Sequence, residues 1–183
     1  MDETDAELDG LQSLLDNSLS AAGAHLRTII RPERSLTARQ LVAVTRSMCT
    51  LAVSTVTARG EPMVSAADGH FLHGRWIFST ARNAVKARHL AARPAVSLGH
   101  LRGEDLGVFT HGTVDVLNPD GGREDPQWPY VLAYLTRYYG QSPMTWGDVI
   151  CYRVRPRWMA AFASDPQALL ASVEAPDKRV SPS

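Results

Sequence analysis

The sequence predicts a mainly β protein with added helices: one domain in which six or seven strands form a closed or nearly closed barrel around a single small helix. Three observations carry that expectation. From Cys49 onward, runs rich in β-branched residues alternate with tight turn signals, and three of these runs follow one another directly. An alanine-rich helical segment, Arg82 to Arg93, then separates them from two further strands and stops at Pro94. Ahead of the β region, leucines at 8, 11, 14, 15 and 19 recur at three- and four-residue spacing, which marks one apolar helix face.

The leucine-spaced helix is expected to close at Gly23 and Pro32, and a second short helix to start at Ser35 or Thr37 and turn Leu41, Val42 and Val44 toward the core. Thr50–Thr57 reads as a strand, Ala58-Arg59-Gly60-Glu61 as a turn, and Pro62–Ala67 as the next strand. Asp68-Gly69 and His73-Gly74 are turn candidates flanking Phe71-Leu72 and the strand Arg75–Thr80, giving an antiparallel meander. Asn83 is the expected N-cap of the small helix. Ala95–Leu101 and Leu106–Leu117 follow as strands, the second with a bulge at Gly112. Residues 118–126 form a loop and Trp128–Tyr139 a helix. Val149–Val154 and Arg157–Phe162 read as final strands broken at Pro156. The division expected is a helical segment over 1–47 packing on the barrel, a barrel over 48–173 and a flexible polar tail over 174–183.

Composition narrows the function classes. With 183 residues, 44% of them apolar and 21% charged, the chain has an ordinary globular profile and is long enough to fold without a metal or disulfide staple. Nineteen basic and nineteen acidic residues cancel, which argues against a nucleic-acid binder working through a strong basic field. Cys49 and Cys151 stand apart from each other and from any Cys/His cluster, so neither a disulfide framework nor a structural zinc site is expected and a reducing cytoplasm is the default. The acidic start, Met-Asp-Glu-Thr-Asp, has the wrong charge for a secretory signal, and no apolar run approaches the span of a membrane helix. The expectation is a cytoplasmic protein with neither membrane nor nucleic acid as partner.

The familiar catalytic motifs are missing: no GxSxG, HExxH, GxGxxG after a strand, or Walker loop. The six histidines, at 25, 70, 73, 89, 100 and 111, have no metal-ligand spacing. No catalytic residue and no metal ligand is named. One segment carries chemistry. A strand ending in Ser79-Thr80 leads through Arg82 into a helix bearing Lys86 and Arg88, and Lys86 is the single lysine of the folded region, the other being Lys178. A phosphate needs hydroxyl donors, cations and backbone N–H groups converging on it, and this segment can supply all three. The plainer account is a solvated basic helix face.

The succession Thr-Val-Thr-Ala-Arg-Gly-Glu-Pro-Met-Val-Ser (55–65), Phe-Leu-His-Gly-Arg-Trp-Ile-Phe-Ser-Thr (71–80) and Lys-Ala-Arg-His-Leu-Ala-Ala-Arg-Pro-Ala-Val-Ser-Leu (86–98) resembles the pyridoxamine 5′-phosphate oxidase-like superfamily of flavin-binding split barrels, a group that includes enzymes using the deazaflavin F-420. The resemblance covers about residues 48–118, with a weaker echo at Tyr152-Arg-Val-Arg-Pro156. It implies a split β-barrel and a homodimer with cofactor sites between subunits, where Trp146, Trp158 or His111 could approach the ring from the partner. It places Met63, Val64, Ser65 and Ala66 beside the flavin ring, Ser79 and Thr80 near the ribityl-phosphate chain, and Lys86 on the phosphate. Where the oxidases carry Ser-Arg just before that lysine, this chain has Ala84-Val85, so Arg82 is the expected substitute. Nothing after Pro156 matches the Arg-His motif with which the oxidases grip substrate, which counts against genuine pyridoxamine phosphate oxidation.

The function implied is a two-electron oxidoreductase using FMN, the broader family default, on a small organic substrate. F-420 is the alternative, its acidic tail suiting Arg59, Arg88 or Arg93. A different class is a non-enzymatic module that holds flavin, haem or a tetrapyrrole, for which His70, His73, His100 or His111 could serve as axial ligand. A third is a structural domain with no ligand.

Overall fold

The computed structural model describes residues 3–174, so the tail expected over 174–183 lies, beyond its first residue, outside them. Strands β1 (Cys49–Val56), β2 (Pro62–Leu72), β3 (Arg75–Ala81), β4 (Ala95–Arg102), β5 (Leu106–Val116) and β6 (Val149–Ala163) close into an antiparallel barrel in the order β1-β2-β3-β6-β5-β4. Helices α1 (Asp5–Ser20), α2 (Ala24–Ile29) and α3 (Ala38–Val44) precede it. Helix α4 (Val85–Ala92) lies between β3 and β4, α5 (Trp128–Tyr139) between β5 and β6, and α6 (Pro166–Glu174) follows β6. The fold is the barrel with added helices that the strand pattern implied, and it agrees with the split barrel that the resemblance implied.

Each element has a local cause. α1 and α3 open with capping boxes, Thr4 with Glu7 and Thr37 with Gln40, which satisfy amides the first turn leaves bare. α1 stops at Ser20, and Gly23 begins α2 instead of ending α1. α5 ends at Gly140, whose φ of 72° suits a residue without Cβ.

An expected turn and an expected strand break are corrected. β2 runs straight through Asp68-Gly69. Gly69 is there for packing: a Cβ at that position would come within 2.3 Å of Leu51 Cδ1 in the barrel interior. β6 likewise runs straight through Pro156. The register slips so that His111 faces Trp158 while Gly112 faces Pro156, leaving Arg157 as the extra residue. The bulge therefore accommodates a proline that has no N–H for the ladder.

A core of Leu51, Val53, Trp76, Phe78, Leu98, Val108 and Val154 from the strands is continuous with Leu8, Leu11 and Leu15 of α1 and Leu41 and Val44 of α3. α1 is also tied to β6 by the Trp158 indole, which donates to the Ser18 carbonyl at 3.2 Å, and by Ser18 Oγ, which accepts from the Met159 amide at 2.9 Å. A second, smaller core forms where Trp128, Val131 and Leu135 of α5 cover Leu72, Ile77 and Cys151.

Candidate functional site

The barrel opens along one seam. β2 pairs with β1 from Pro62 to Gly69 but with β3 only from Gly69 to Leu72. Beyond that point β3 leaves β2, and Ser79–Ala81 pair only with Val149–Cys151 of β6. Among the described residues, the edge of β2 from 62 to 68 is thus without a strand neighbour on that side. α4, which follows β3 directly, stands at this opening. It is held there by Ala87 and Leu90 in the core, by a 2.9 Å hydrogen bond between Thr55 Oγ1 and His89 Nδ1, and by Arg93 Nε donating to the Val56 carbonyl at 3.1 Å.

Lys86, on the first turn of α4, reaches across the seam and donates from Nζ to the carbonyl of Ala66. Partial burial of the ammonium lowers its pKa from the usual lysine value. The structure therefore brings Lys86 to the strand Met63–Ala66 through a direct bond. Met63, Val64 and Ala66 are exposed and Ser65 half-buried. On β3, Ser79 and Thr80 are half-buried, and the hydroxyls of Ser65, Ser79 and Thr80 make no hydrogen bond to any described residue. An ammonium beside an exposed strand is what an anionic chain attached to a flat ring can use, and hydroxyls with open valences stand on both strands flanking the opening.

The two arginines are arranged differently. Arg82 Nε pairs with Asp148 at 2.9 Å, and its Nη2 donates to the carbonyls of Asn118 at 3.2 Å and Val149 at 3.3 Å. Two of its three nitrogens thus tie the end of β3 to the start of β6. Arg88 folds back so that Nη1 donates to the Asn83 carbonyl at 2.9 Å. Asn83 does not cap α4: the Ala84 amide bonds the Ala81 carbonyl in a turn, Ala84 becomes the N-cap, and no side chain bonds the first-turn amides.

Beside Ser79 and Thr80 lies a recess that sequence reasoning missed. It has a volume of about 300 Å³ and is walled by Asp68, Tyr139, Trp146 and Asp148. Trp146, on a short helical turn over Pro143–Trp146, meets Tyr139 edge-on at 4.9 Å between ring centroids. Behind Tyr139, His70 sits in a cage of three tyrosines. Its Nε2 is 2.9 Å from the Tyr139 hydroxyl and its Nδ1 3.2 Å from that of Tyr134, while Tyr138 lies edge-on at 4.8 Å. Burial pushes His70 down to about 4 and the Tyr139 phenol up to about 12. The available sequence signal was the Tyr138-Tyr139 pair next to Trp146, but each aromatic residue was read singly.

A larger cavity of about 580 Å³ lies between α1 and the β2–β3 turn, lined by Glu7, Leu11, His73, Arg75 and Arg155. It belongs to the other end of β3, about 20 Å along the strand from Ala81. Among the described residues no group of histidines, cysteines or acids could hold a metal ion, and no helix is long and apolar enough to cross a membrane.

Comparison with known proteins follows the geometry. Residues 37–163 match the family model of pyridoxamine 5′-phosphate oxidase. A conserved hypothetical protein from Mycobacterium tuberculosis superposes with a TM-score of 0.61 at 18% identity, over 76% of this chain and 92% of that one. The haem storage protein HutZ of Vibrio cholerae superposes at 0.54 with 20% identity, over 68% and 93%. An F420 reductase superposes at 0.50 with 22% identity, over 64% and 94%. At these identities the structures establish a shared fold. No curated protein sequence matches the chain.

Proposed function

We propose that this chain, which belongs to the pyridoxamine 5′-phosphate oxidase family, binds a flavin-type cofactor along the β2–β3 seam and serves as a two-electron oxidoreductase for a small organic substrate. FMN is the cofactor favoured and F-420 the alternative. The observation that carries the proposal is Lys86 aimed at the exposed strand Met63–Ala66, across an opening whose two flanking strands carry the unbonded hydroxyls of Ser65, Ser79 and Thr80.

The residues present fit such a group. Lys86 would neutralise the phosphate, assisted by the uncapped first turn of α4, whose partial positive charge favours an anion. Ser79 and Thr80 would donate to the ribityl chain, and the outer face of Val64 and Ala66 would support the ring. Arg82 adds a weaker cationic contribution through Nη1, because Asp148 already offsets its charge. Arg88, from the exposed side of α4, would reach the outer end of an acidic tail. When bound, the cofactor supplies hydride acceptance or donation. The chain supplies position and charge: it holds the anionic handle at one end and leaves one ring face open to substrate.

We also propose a homodimer. The outward faces of Ala52 on β1, Val64 and Ala66 on β2, and Leu101 on β4 form one apolar wall. Val64 is 68% and Leu101 61% exposed, unusual for branched aliphatics on a sheet. This wall is continuous with the seam, so a second copy covering it would complete the cofactor site.

The second reading is a haem- or tetrapyrrole-binding module. It is favoured by His111, which is exposed, orients Nδ1 on Ser97 Oγ at 2.9 Å and stacks on Trp158 at 4.8 Å. Of the other candidates, His70 has both nitrogens engaged, His73 pairs with Glu7 at 3.0 Å, and His100 is buried against the Thr50 carbonyl. The absorption spectrum of the purified chain, followed by titration with FMN, F-420 and haemin, separates the readings. Flavin or deazaflavin uptake that fails in Lys86→Ala supports the first, and a Soret band lost in His111→Ala supports the second.

A further inference from the structure

We infer that Asp120, at the tip of the loop between β5 and α5, is a site of spontaneous covalent modification, at which the side-chain carboxyl takes over the peptide bond to Gly121 and leaves an isoaspartyl linkage. The chain offers this chemistry three openings, since Asp-Gly occurs at 9–10, 68–69 and 120–121. Asp9, Asp68 and Asp120 are all exposed, so exposure does not separate them. What separates them is the amide that must attack. Gly10 lies inside α1, where its amide is bonded to the preceding turn. Gly69 is buried in β2 and paired on both sides, with Cys49 of β1 and Phe78 of β3. Gly121 belongs to no helix or strand, and its amide makes no hydrogen bond to any described residue.

The loop is pinned at its base and free at its tip. The Asp125 amide closes the base by donating to the Leu117 carbonyl at 3.0 Å. Asn118 is held from three sides: Nδ2 donates to the Val149 carbonyl at 2.9 Å, Oδ1 accepts from the Cys151 amide at 2.8 Å, and its carbonyl accepts from Arg82 at 3.2 Å. The Asp125 carboxylate takes two Arg153 nitrogens, at 3.1 and 2.7 Å. Between these anchors, residues 120–124 make no hydrogen bond or ion pair with any described residue. Gly121 and Gly122 have φ of 69° and 115°, and a Cβ at either would meet nothing within 4 Å. Ring closure takes Asp120 through a ψ that neither helix nor strand supplies. A tip flanked by glycines in open space reaches it without breaking a bond.

In the step itself the Gly121 nitrogen attacks Asp120 Cγ. A nitrogen–Cγ bond forms, the Cγ–hydroxyl bond breaks, and the amide proton leaves with that hydroxyl as water. The product is a five-membered imide, and water then adds to one of its two carbonyls. Splitting the nitrogen from the main-chain carbonyl carbon of Asp120 leaves the backbone running through the side chain, with the α-carboxylate free. Splitting it from Cγ restores the aspartate. One water is released and one consumed, so mass and oxidation state do not change. The extra backbone atom stays between the two anchors, which leaves the barrel and its seam as they were.

The test stores the full-length folded chain in warm neutral buffer, beside the same chain in urea, and follows both by tryptic mapping. The peptide 103–123 should split with time into two species of equal mass, the new one resistant to cleavage before Asp120 by an aspartate-specific protease. Its free α-carboxylate should accept a labelled methyl group from an isoaspartyl carboxyl methyltransferase. In the folded chain the peptides carrying Asp9 and Asp68 should convert about tenfold or more slowly than 103–123, because each waits for its helix or strand to open. In urea the three should convert at similar rates. Asp120→Asn gives a second readout, since closure then expels ammonia and the peptide gains mass; it should react faster in the folded chain than Asp9→Asn or Asp68→Asn. The inference is overturned if Asp9 or Asp68 converts as fast as Asp120 in the folded chain. It is equally overturned if folded Asp120 stays intact while the urea sample converts, or if folded Asp120→Asn keeps its mass.

Discussion

Lys86 of α4 and Ala66 of β2 are joined across the one stretch of the barrel where β2 has no strand beside it on that side. The bond spans an exposed opening, so its loss should cost the fold little, while the charge it positions matters to an anion. Lys86→Ala is expected to leave the urea midpoint almost unchanged and to weaken FMN binding by about ten- to a hundredfold, on the order of 1.5–3 kcal/mol. An equilibrium fluorescence titration checks this, and unchanged affinity would remove Lys86 from the site.

Arg82 should behave in the opposite way. It ties β3 to the Asn118 and Val149 carbonyls and pairs with Asp148, so Arg82→Ala removes three bonds at the joint between β3 and β6. A stability loss of about 1–2 kcal/mol in urea unfolding is expected, with a smaller effect on FMN affinity than Lys86→Ala.

His70 makes stability depend on pH. Its folded-state pKa is lowered to about 4 from an ordinary 6.5, with burial as the cause. Between those values the unfolded chain binds a proton that the folded chain refuses, so stability rises with pH across that window and is lost as pH falls from 6.5 toward 4. The contribution is on the order of 3 kcal/mol. Urea midpoints measured from pH 4 to 8 should show a steeper slope in wild type than in His70→Gln.

The glycines separate by surroundings. Gly112→Ala would place a Cβ 2.1 Å from the Arg155 carbonyl oxygen, a backbone atom that cannot yield without breaking the bulge, and should destabilise by about 2–4 kcal/mol. Gly10 lies in α1 with nothing within 4 Å, and Gly10→Ala should stabilise by about 0.5–1 kcal/mol. Thermal melts of the two variants should therefore move in opposite directions.

The proposed dimer predicts that light scattering finds twice the chain mass, and that Val64→Glu returns it to one. A wild-type chain that runs as a monomer at all accessible concentrations would withdraw the apolar wall as an interface.

Much of the fold was legible because strand and helix patterns are local. The stretch 71–80, the α5 span and the Gly112 bulge were all visible as short-range patterns. The break expected at Pro156 and the bulge at Gly112 turned out to be one feature, seen from two strands whose pairing the sequence does not display. Asp68-Gly69 misled because a glycine chosen for its missing Cβ against Leu51 looks the same as one chosen for a turn. At the site, Lys86 could be picked out as the lone lysine of the barrel. The partner of Arg82, by contrast, is 66 residues away, and the hydroxyl that engages His70 Nε2 is 69 away. Nothing local announces such pairings, so the recess they build was invisible until the chain was folded.

The bare flank of β2 has one more consequence. A run of unmatched amides and carbonyls is a template on which a stray peptide can zip, the first step of aggregation. Pro62, lacking an N–H, blunts one end, and the tethered lysine obstructs the middle. The apoprotein should therefore precipitate sooner than the loaded form on prolonged storage, because whatever fills the slot also shields its most adhesive strip.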